Sequence, residues 1–321
     1  MRFTIIGAGG VGGCFGAALH RAGHEVTFFA RGAHLDAIRR DGLTIRAPDE
    51  AEVVRVAATD TVDDLPPSDT AIVAVKSYSL ADVLPVARAV AERGATVLPL
   101  LNGVTAADEL IAGGVSRHSV LGGIARISAA RVAPGVVERR SVFQTVVLGE
   151  LDRSRSARTE AIADALRGSG IDARVADAID IELWQKYVFI SAFAAVCGMS
   201  RAPIGQVRDA PGGMRLIERA VNEVVAVARA RGIELPPDEA AKTTTYLSST
   251  LPAAMKPSFL VDLEAGGANE LETLSGTVAR LARELGVECP VHETATTVLS
   301  AGLGSESYRI ERAHVRRDND L

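Results

Sequence analysis

Three glycines near the start of the 321-residue chain, Gly7, Gly9 and Gly12, stand in the spacing G-x-G-x-x-G. They follow a β-branched and aromatic run, Phe3 to Ile6, and precede an amphipathic helical pattern through Phe15, Ala18 and Leu19. A strand, a tight glycine turn and a helix N-terminus together form a dinucleotide-binding fingerprint. Gly7 permits the turn, Gly9 lets the backbone approach a pyrophosphate, and Gly12 lets the helix pack close to the strand. The N–H groups of this turn, with Gly10 and Val11 in it, and the helix dipole then favour a diphosphate. Arg31 closes the next strand, in Phe28-Phe29-Ala30-Arg31. In such a unit this position faces the adenosine ribose, where an acidic residue would take the 2′-hydroxyl and an arginine accommodates a 2′-phosphate. No Asp or Glu lies between Glu25 and Asp36, which favours NADP(H) over NAD(H). A solvent-facing arginine at a strand end would read the same way.

Further along, Lys76 and Asn102 each follow a buried apolar strand, in Val73-Ala74-Val75-Lys76 and Leu100-Leu101-Asn102-Gly103. Ligands of open α/β sheets bind beyond the carboxyl ends of the strands, so both residues are expected to point toward the cofactor cleft. A surface lysine and an ordinary Asn-Gly turn are the competing readings. Lys186 is the only basic residue in the long apolar stretch from Ile179 to Cys197. There a lysine either snorkels to the surface or has a pKa suited to acid–base work. Ser258 and Asp262 share a face if their segment is helical. Glu270 opens a helical segment, where a carboxylate is favourable for structural reasons alone. The six histidines form no H-E-x-x-H pattern, the one H-x-x-x-H spacing, His20 and His24, runs across the helix-to-strand turn at Gly23, and the acidic residues do not cluster at ligand spacing, so no catalytic metal is expected.

The elements that must position these residues change character midway. Strands and helices alternate at first: Glu25–Ala30, Thr70–Val75 and Thr96–Leu101 read as strands, and Leu35–Arg40 and Leu80–Arg93 as helices. Gly42–Arg46 and Val53–Ala57 alternate at period two and are expected to form a hairpin. His118–Ile127, Gly135–Arg140 and Gln144–Leu148 read as neighbouring antiparallel strands, followed by a helix over Thr159–Gly168 and a strand over Asp172–Val175. From Ala178 onward only helical patterns remain: Ile179–Cys197, Gly212–Gly232, a segment from Asp238, Asn269–Leu285 capped by Gly286, and Pro290–Ala301. The expected fold class is therefore α/β, a Rossmann-type doubly wound sheet over residues 1–178 followed by an all-α domain over 179–305 and a tail over 306–321.

Composition narrows the partners. With 47% hydrophobic and 23% charged residues the chain is a globular, soluble protein, and a net charge of -5 without a basic block argues against nucleic acid. Cys14, Cys197 and Cys289 are odd in number and far apart, which fits reduced, buried thiols in the cytoplasm rather than a disulfide framework. No apolar run has the length of a membrane span, and a strand beginning at Phe3 leaves no room for a signal peptide. A homodimer is left open.

In order and spacing the sequence resembles the ketopantoate reductase (2-dehydropantoate 2-reductase) family from Arg2 to Leu303. The likeness rests on Ile6-Gly7-Ala8-Gly9-Gly10-Val11-Gly12, Ala30-Arg31, Val75-Lys76-Ser77, Leu101-Asn102-Gly103-Val104 and Trp184-Gln185-Lys186. It continues through Pro257-Ser258-Phe259-Leu260-Val261-Asp262, Asn269-Glu270-Leu271 and Cys289-Pro290-Val291-His292. The resemblance implies an NADPH-dependent reduction of a 2-oxo acid to a 2-hydroxy acid, and a place in pantothenate biosynthesis. It makes Lys186 the general acid and has Glu270 bind the substrate hydroxyl. Ser258, with Asp262 nearby, would bind the substrate. Asn102 would orient the substrate and Lys186, Arg31 and Lys76 would contact the cofactor, and Asn102 and Glu270 would border it. Members of the family typically carry asparagines one and two turns after the lysine. Here those positions are Ile190 and Ala194, with Ser191 and Ser200 the nearby hydroxyls. Two other readings remain open: another NAD(P)-dependent dehydrogenase of the same two-domain plan, and a non-catalytic NADP-binding sensor.

Overall fold

The computed structural model describes residues 1–48 and 50–302. Contacts divide the chain into two units, one of Met1–Leu101 with Thr105–Ile179, the other of Asn102–Val104 with the chain from Asp180 onward. The expected tail over 306–321 lies outside the described residues.

The first unit runs β1 (Arg2–Ile6), α1 (Gly10–Arg21), β2 (Glu25–Phe29), α2 (Gly32–Asp41), β3 (Leu43–Arg46), β4 (Ala51–Val54) and β5 (Ala57–Thr59). It continues with β6 (Thr70–Val73), α3 (Leu80–Glu92), β7 (Thr96–Pro99), α4 (Ala106–Ala112) and β8 (Leu121–Arg126). The last elements are β9 (Ala129–Ala133), β10 (Val136–Arg139), β11 (Thr145–Glu150), α5 (Ala157–Gly168) and β12 (Asp172–Val175). Five strands form a parallel sheet in the order β5-β2-β1-β6-β7. Its strands read as continuous apolar runs because both faces are covered. Phe3, Ile5, Phe28 and Ile72 pack on one side with Phe15 and Leu19 of α1 and Ile162 and Leu166 of α5. Ile6, Phe29, Ala71 and Val73 pack on the other with Val83, Val86 and Val90 of α3 and Leu110 of α4. This is the doubly wound arrangement expected.

The later strands sort differently from their sequence order. β8 and β11 pair antiparallel, as expected, and β12 adds to β11 in parallel. A single bridge, Val97 to Val120, joins them to β7. β10 does not join them. It pairs in parallel with β3 and antiparallel with β9, in a second sheet of order β4-β3-β10-β9. β9 itself has no alternating apolar pattern and is largely exposed, so nothing in Ala129–Ala133 announced a strand. The hairpin of β3 and β4 forms, but residues from Ala57 leave it to extend the parallel sheet beside β2.

The second unit is helical throughout its described part: α6 (Ile179–Ser200), α7 (Ile204–Asp209), α8 (Gly213–Ala230), α9 (Glu239–Thr245), α10 (Ser258–Glu264), α11 (Thr277–Leu285) and α12 (Pro290–Gly302). α6 is apolar around most of its circumference and is buried accordingly among α8, α10, α11 and α12. Two turns have π geometry, Tyr246–Thr250 and Glu272–Gly276. Gly286 ends α11 at φ +68°, the left-handed cap expected of it. Among the described residues no helix is long and apolar enough to cross a membrane.

One buried polar cluster ties α8 to α12. The Glu223 carboxyl accepts the backbone N–H groups of Val291 (2.8 Å) and His292 (3.0 Å) at the N-terminus of α12, while burial raises its pKa. His292 is fully buried, with Nε2 3.1 Å from the Ala220 carbonyl and Nδ1 3.2 Å from the Ser275 hydroxyl. A carbonyl only accepts, so Nε2 carries the proton and Nδ1 takes the hydroxyl hydrogen. Burial pushes the imidazole from its ordinary 6.5 down to about 4. The unfolded chain therefore takes up a proton at a higher pH than the folded one, and stability falls as pH drops from 6.5 toward 4. Urea unfolding between those values should show a steeper fall for the wild type than for His292→Gln. Equal slopes would exclude His292 as the source.

Candidate active site

Two groups of residues are held in place, one in each unit. In the first, β1 ends at Ile6 and Gly7 turns the chain at φ +102°. A Cβ at Gly7 would come within 2.7 Å of Val75 Cγ1, and the angle itself favours glycine. A Cβ at Gly12 would strike the Gly7 carbonyl oxygen, and one at Gly10 the Ala129 carbonyl. Gly9 differs. Its φ of -74° suits any residue, and a Cβ there would meet nothing within 4 Å. Protein packing thus explains the other glycines but not Gly9, which leaves room for a ligand to approach the backbone. No side chain caps α1 and its first turn holds no acid, so its leading N–H groups suit a diphosphate. The residues present fit a dinucleotide.

His34 fixes this turn and was missed in the sequence. It is buried in α2, with Nε2 2.7 Å from the Ala8 carbonyl, while the Gly135 N–H donates to Nδ1 at 2.8 Å. Burial lowers its pKa, which keeps the ring neutral for these two bonds. No motif marked it, because its partners lie on distant segments. Arg31 is not the last residue of a strand: β2 stops at Phe29 and Arg31 is the N-cap residue of α2. Its guanidinium is half exposed, donates to the Asp82 carbonyl at 2.9 Å, and lies 6.0 Å from the centroid of the Phe29 ring. Lys76 is exposed, three residues beyond the end of β6, before a short 3₁₀ turn over Ser77–Ser79.

In the second unit Lys186, Asn102 and Glu270 form a hydrogen-bonded chain. Lys186 Nζ donates to Asn102 Oδ1 at 3.0 Å, and Asn102 Nδ2 donates to Glu270 Oε2 at 3.1 Å. Ammonium groups only donate and carboxylates only accept, so an amide between them has its orientation set by chemistry. Glu270 is 3% exposed, and Asn102 and Lys186 are partly buried. Three local devices hold the chain. Gly103 turns at φ +99°, where a Cβ would meet Thr273 Cγ2 at 2.8 Å. The buried Asn269 side chain accepts the Leu271 N–H at 3.1 Å, an Asx turn around Glu270. The π turn Glu272–Gly276 follows, and the Tyr187 hydroxyl donates to its Thr273 (2.9 Å) and Leu274 (2.7 Å) carbonyls. Tyr187 is adjacent to Lys186, so α6 is tied to the segment that carries Glu270. Glu270 therefore precedes a π turn instead of opening a regular α-helix; such turns occur often at functional sites. Neither the π turn nor the role of Tyr187 has a sequence signature.

Ser258 and Asp262 lie one turn apart on α10, Ser258 exposed and Asp262 partly so. The positions one and two turns after Lys186 hold Ile190, partly buried, and Ala194, fully buried. The nearby hydroxyls do not replace amides there: Ser191 is completely buried, and Ser200 donates back to the Val196 carbonyl at 2.8 Å. All three cysteines are buried, and burial pushes the Cys14 and Cys197 thiols up to about 11 and about 12, away from nucleophilic chemistry. Among the described residues no group of His, Cys, Asp and Glu is arranged to hold a metal.

Residues 3–153 match the family described as Ketopantoate reductase PanE/ApbA, and residues 178–302 its C-terminal counterpart. The chain belongs to the ketopantoate reductase family. These are oxidoreductases that act on CH–OH groups with a nicotinamide cofactor. A 2-dehydropantoate 2-reductase of Halobacterium salinarum is 30% identical over 298 residues, 92% of this chain and 96% of that protein. An uncharacterised oxidoreductase of Bacillus subtilis is 29% identical over 297 residues, again 92% and 96%. The crystal structure of a family ketopantoate reductase from Ralstonia eutropha aligns with a TM-score of 0.82 at 26% identity, covering 98% of this chain and 99% of that one. D-mandelate dehydrogenase, solved with NADH and anilino(oxo)acetate, shares the fold at a TM-score of 0.84 and 22% identity, with 98% and 99% covered.

For this ketopantoate reductase relative, Gly9→Ala and Gly12→Ala separate packing from binding. Gly12→Ala should destabilise the first unit by about 1–3 kcal/mol through overpacking. Gly9→Ala should leave thermal unfolding within the scatter of surface substitutions while weakening dinucleotide binding roughly tenfold or more. Normal binding by Gly9→Ala would remove Gly9 from the cofactor site.

Proposed function

We propose that this protein is an NADPH-dependent reductase of a 2-oxo acid, 2-dehydropantoate or a related keto substrate, working in the cytoplasm. Residues 1–178 hold the cofactor and residues 179–305, with Asn102, carry out the substrate chemistry. The observation that carries this reading is the chain Lys186–Asn102–Glu270. A bound nicotinamide dinucleotide would supply the hydride. Addition of hydride to a ketone carbon leaves negative charge on the oxygen, and that charge is the main obstacle to reaction. Lys186 answers it with an ammonium that donates its proton to the oxygen as charge develops, and is then reprotonated from solvent. Asn102 takes one ammonium hydrogen and thereby aims the others. Glu270 anchors the far end of that amide, and its carboxylate accepts a hydrogen bond from the hydroxyl that reduction creates at the carbonyl carbon.

Cofactor residues follow from the first unit. Gly7, Gly9, Gly10, Val11 and Gly12 form the turn over the diphosphate. Arg31 is assigned to the 2′-phosphate: its guanidinium is half exposed beside α2, where it pairs with Asp82 at 3.8 Å, and no Asp or Glu lies between Glu25 and Asp36 to take a ribose 2′-hydroxyl. Lys76 adds a second cation, and Asn102 and Glu270 border the nicotinamide. Ser258 on α10 is assigned to the substrate carboxylate, with Asp262 one turn away. The activity carried by the Halobacterium relative supports the same reaction class.

Lys186→Ala should lower kcat by a factor on the order of 10²–10⁴ in an NADPH-oxidation assay while NADPH still binds. If the only property of the wild type that can be measured is nucleotide binding, and Lys186→Ala leaves it intact, the protein is a sensor instead. Arg31→Ala should raise KM for NADPH far more than for NADH. An equal rise for both would end the assignment of Arg31 to the 2′-phosphate.

A further inference from the structure

The first two turns of α6 are partly accessible, and from Tyr187 to Gly198 most of its circumference is closed. Trp184, Tyr187, Val188, Ser191, Ala192, Ala195 and Val196 are buried, whereas Leu183, Lys186, Phe189 and Ile190 remain partly accessible. At about 100° per residue these four fall on one strip, at i−3, i, i+3 and i+4 around the lysine. What borders the ammonium toward the C-terminal end of that strip is apolar and aromatic. The Phe189 ring stacks on Phe193 at 5.7 Å and meets Tyr246 edge-on at 5.4 Å. Tyr246 opens the π turn Tyr246–Thr250 and is 44% exposed. Ile190 and Ala194 occupy the next two turns beyond Lys186. Beyond Lys186 this strip presents no amide or hydroxyl of α6 to a substrate hydroxyl: Ser191 is buried around the helix, Ser200 and Tyr187 are bonded to backbone carbonyls, and the Gln185 amide, off the strip, donates to Glu239.

We infer that the substrate is a 2-oxo acid whose carbonyl carbon carries a bulky apolar group, aryl or branched alkyl, seated on Phe189, Ile190 and Tyr246. The inference rests on Lys186 being the proton donor to the carbonyl oxygen, because that contact sets which part of the substrate lies along the strip. Apolar shelves gain from each added carbon and reject a hydroxyl weakly, whereas sites built on hydrogen bonds reject its loss strongly. The preference should therefore run from apolar to hydroxylated substrates, opposite to that of a site lined with asparagines.

A matched pair tests this: ketopantoate and 3,3-dimethyl-2-oxobutanoate, which differ by one hydroxyl, with phenylglyoxylate and pyruvate as large and small references. With the full chain and NADPH, kcat/KM should favour 3,3-dimethyl-2-oxobutanoate and phenylglyoxylate over ketopantoate by roughly tenfold or more. Ile190→Asn should shift the ratio within the pair toward ketopantoate, and Phe189→Ala should cost phenylglyoxylate more than pyruvate. Reduction of ketopantoate in preference to its deoxy analogue would overturn the inference and leave the reductase reading intact. So would a pair ratio unmoved by Ile190→Asn. Failure to reduce any of the four would overturn both.

Discussion

A buried glutamate joined to a lysine through a single amide sets the terms for the second unit. An isolated carboxylate or ammonium removed from water is costly, and each needs a partner of matching hydrogen-bond sense. Asn102 meets both needs at once: its carbonyl faces the Lys186 ammonium and its N–H faces Glu270. The arrangement works only if three separate segments are held to within a few tenths of an ångström. The Gly103 turn, the Asx turn of Asn269 and the π turn bonded by Tyr187 are the means by which this chain does so. A π turn widens the helix by one residue and frees carbonyls from their usual partners, and those at Thr273 and Leu274 meet the tyrosine hydroxyl.

The first unit shows the same economy in its turn. Gly7, Gly10 and Gly12 are required by neighbouring atoms of the protein itself, so their presence would follow from tight packing alone. Gly9 lies against open space. A motif of several glycines thus divides into a structural part and a part whose cause lies outside the chain. His34 belongs to the structural part, since one neutral imidazole bonds the turn at Ala8 and the strand connection at Gly135. In the helical unit, His292 and Glu223 do comparable work deep in the core, bonding α8 to α12 and to the π turn through Ser275.

In the proposed reaction, reactivity and substrate choice separate on α6. The group proposed to move a proton and those proposed to meet the rest of the substrate are neighbouring residues on one strip, so the first can be retained while the second changes. Lys186 keeps its partners through segments remote from that strip, and Ile190 and Ala194 can be apolar without disturbing them. This is why membership of a reductase family states the chemistry more firmly than the substrate.

The sequence by itself determined the doubly wound sheet and the helical half, because burial on both faces writes continuous apolar runs and burial on one writes a 3.6-residue period. It also determined the glycine turn, whose residues lie within one short segment, and it marked Lys186, Asn102 and Glu270 by their type and order. Only the tertiary structure decided that β10 leaves its sequence neighbours for β3, since pairing partners are chosen by long-range geometry that no local pattern encodes. Only it decided that Ser200 turns back on its own helix, that Tyr187 and His34 hold loops from distant segments, and that Asn102 meets a lysine 84 residues away and a glutamate 168 away. Residue type and local period are properties of a line. The bonds that orient a reactive group are made across the fold, and they exist only once the chain has closed on itself.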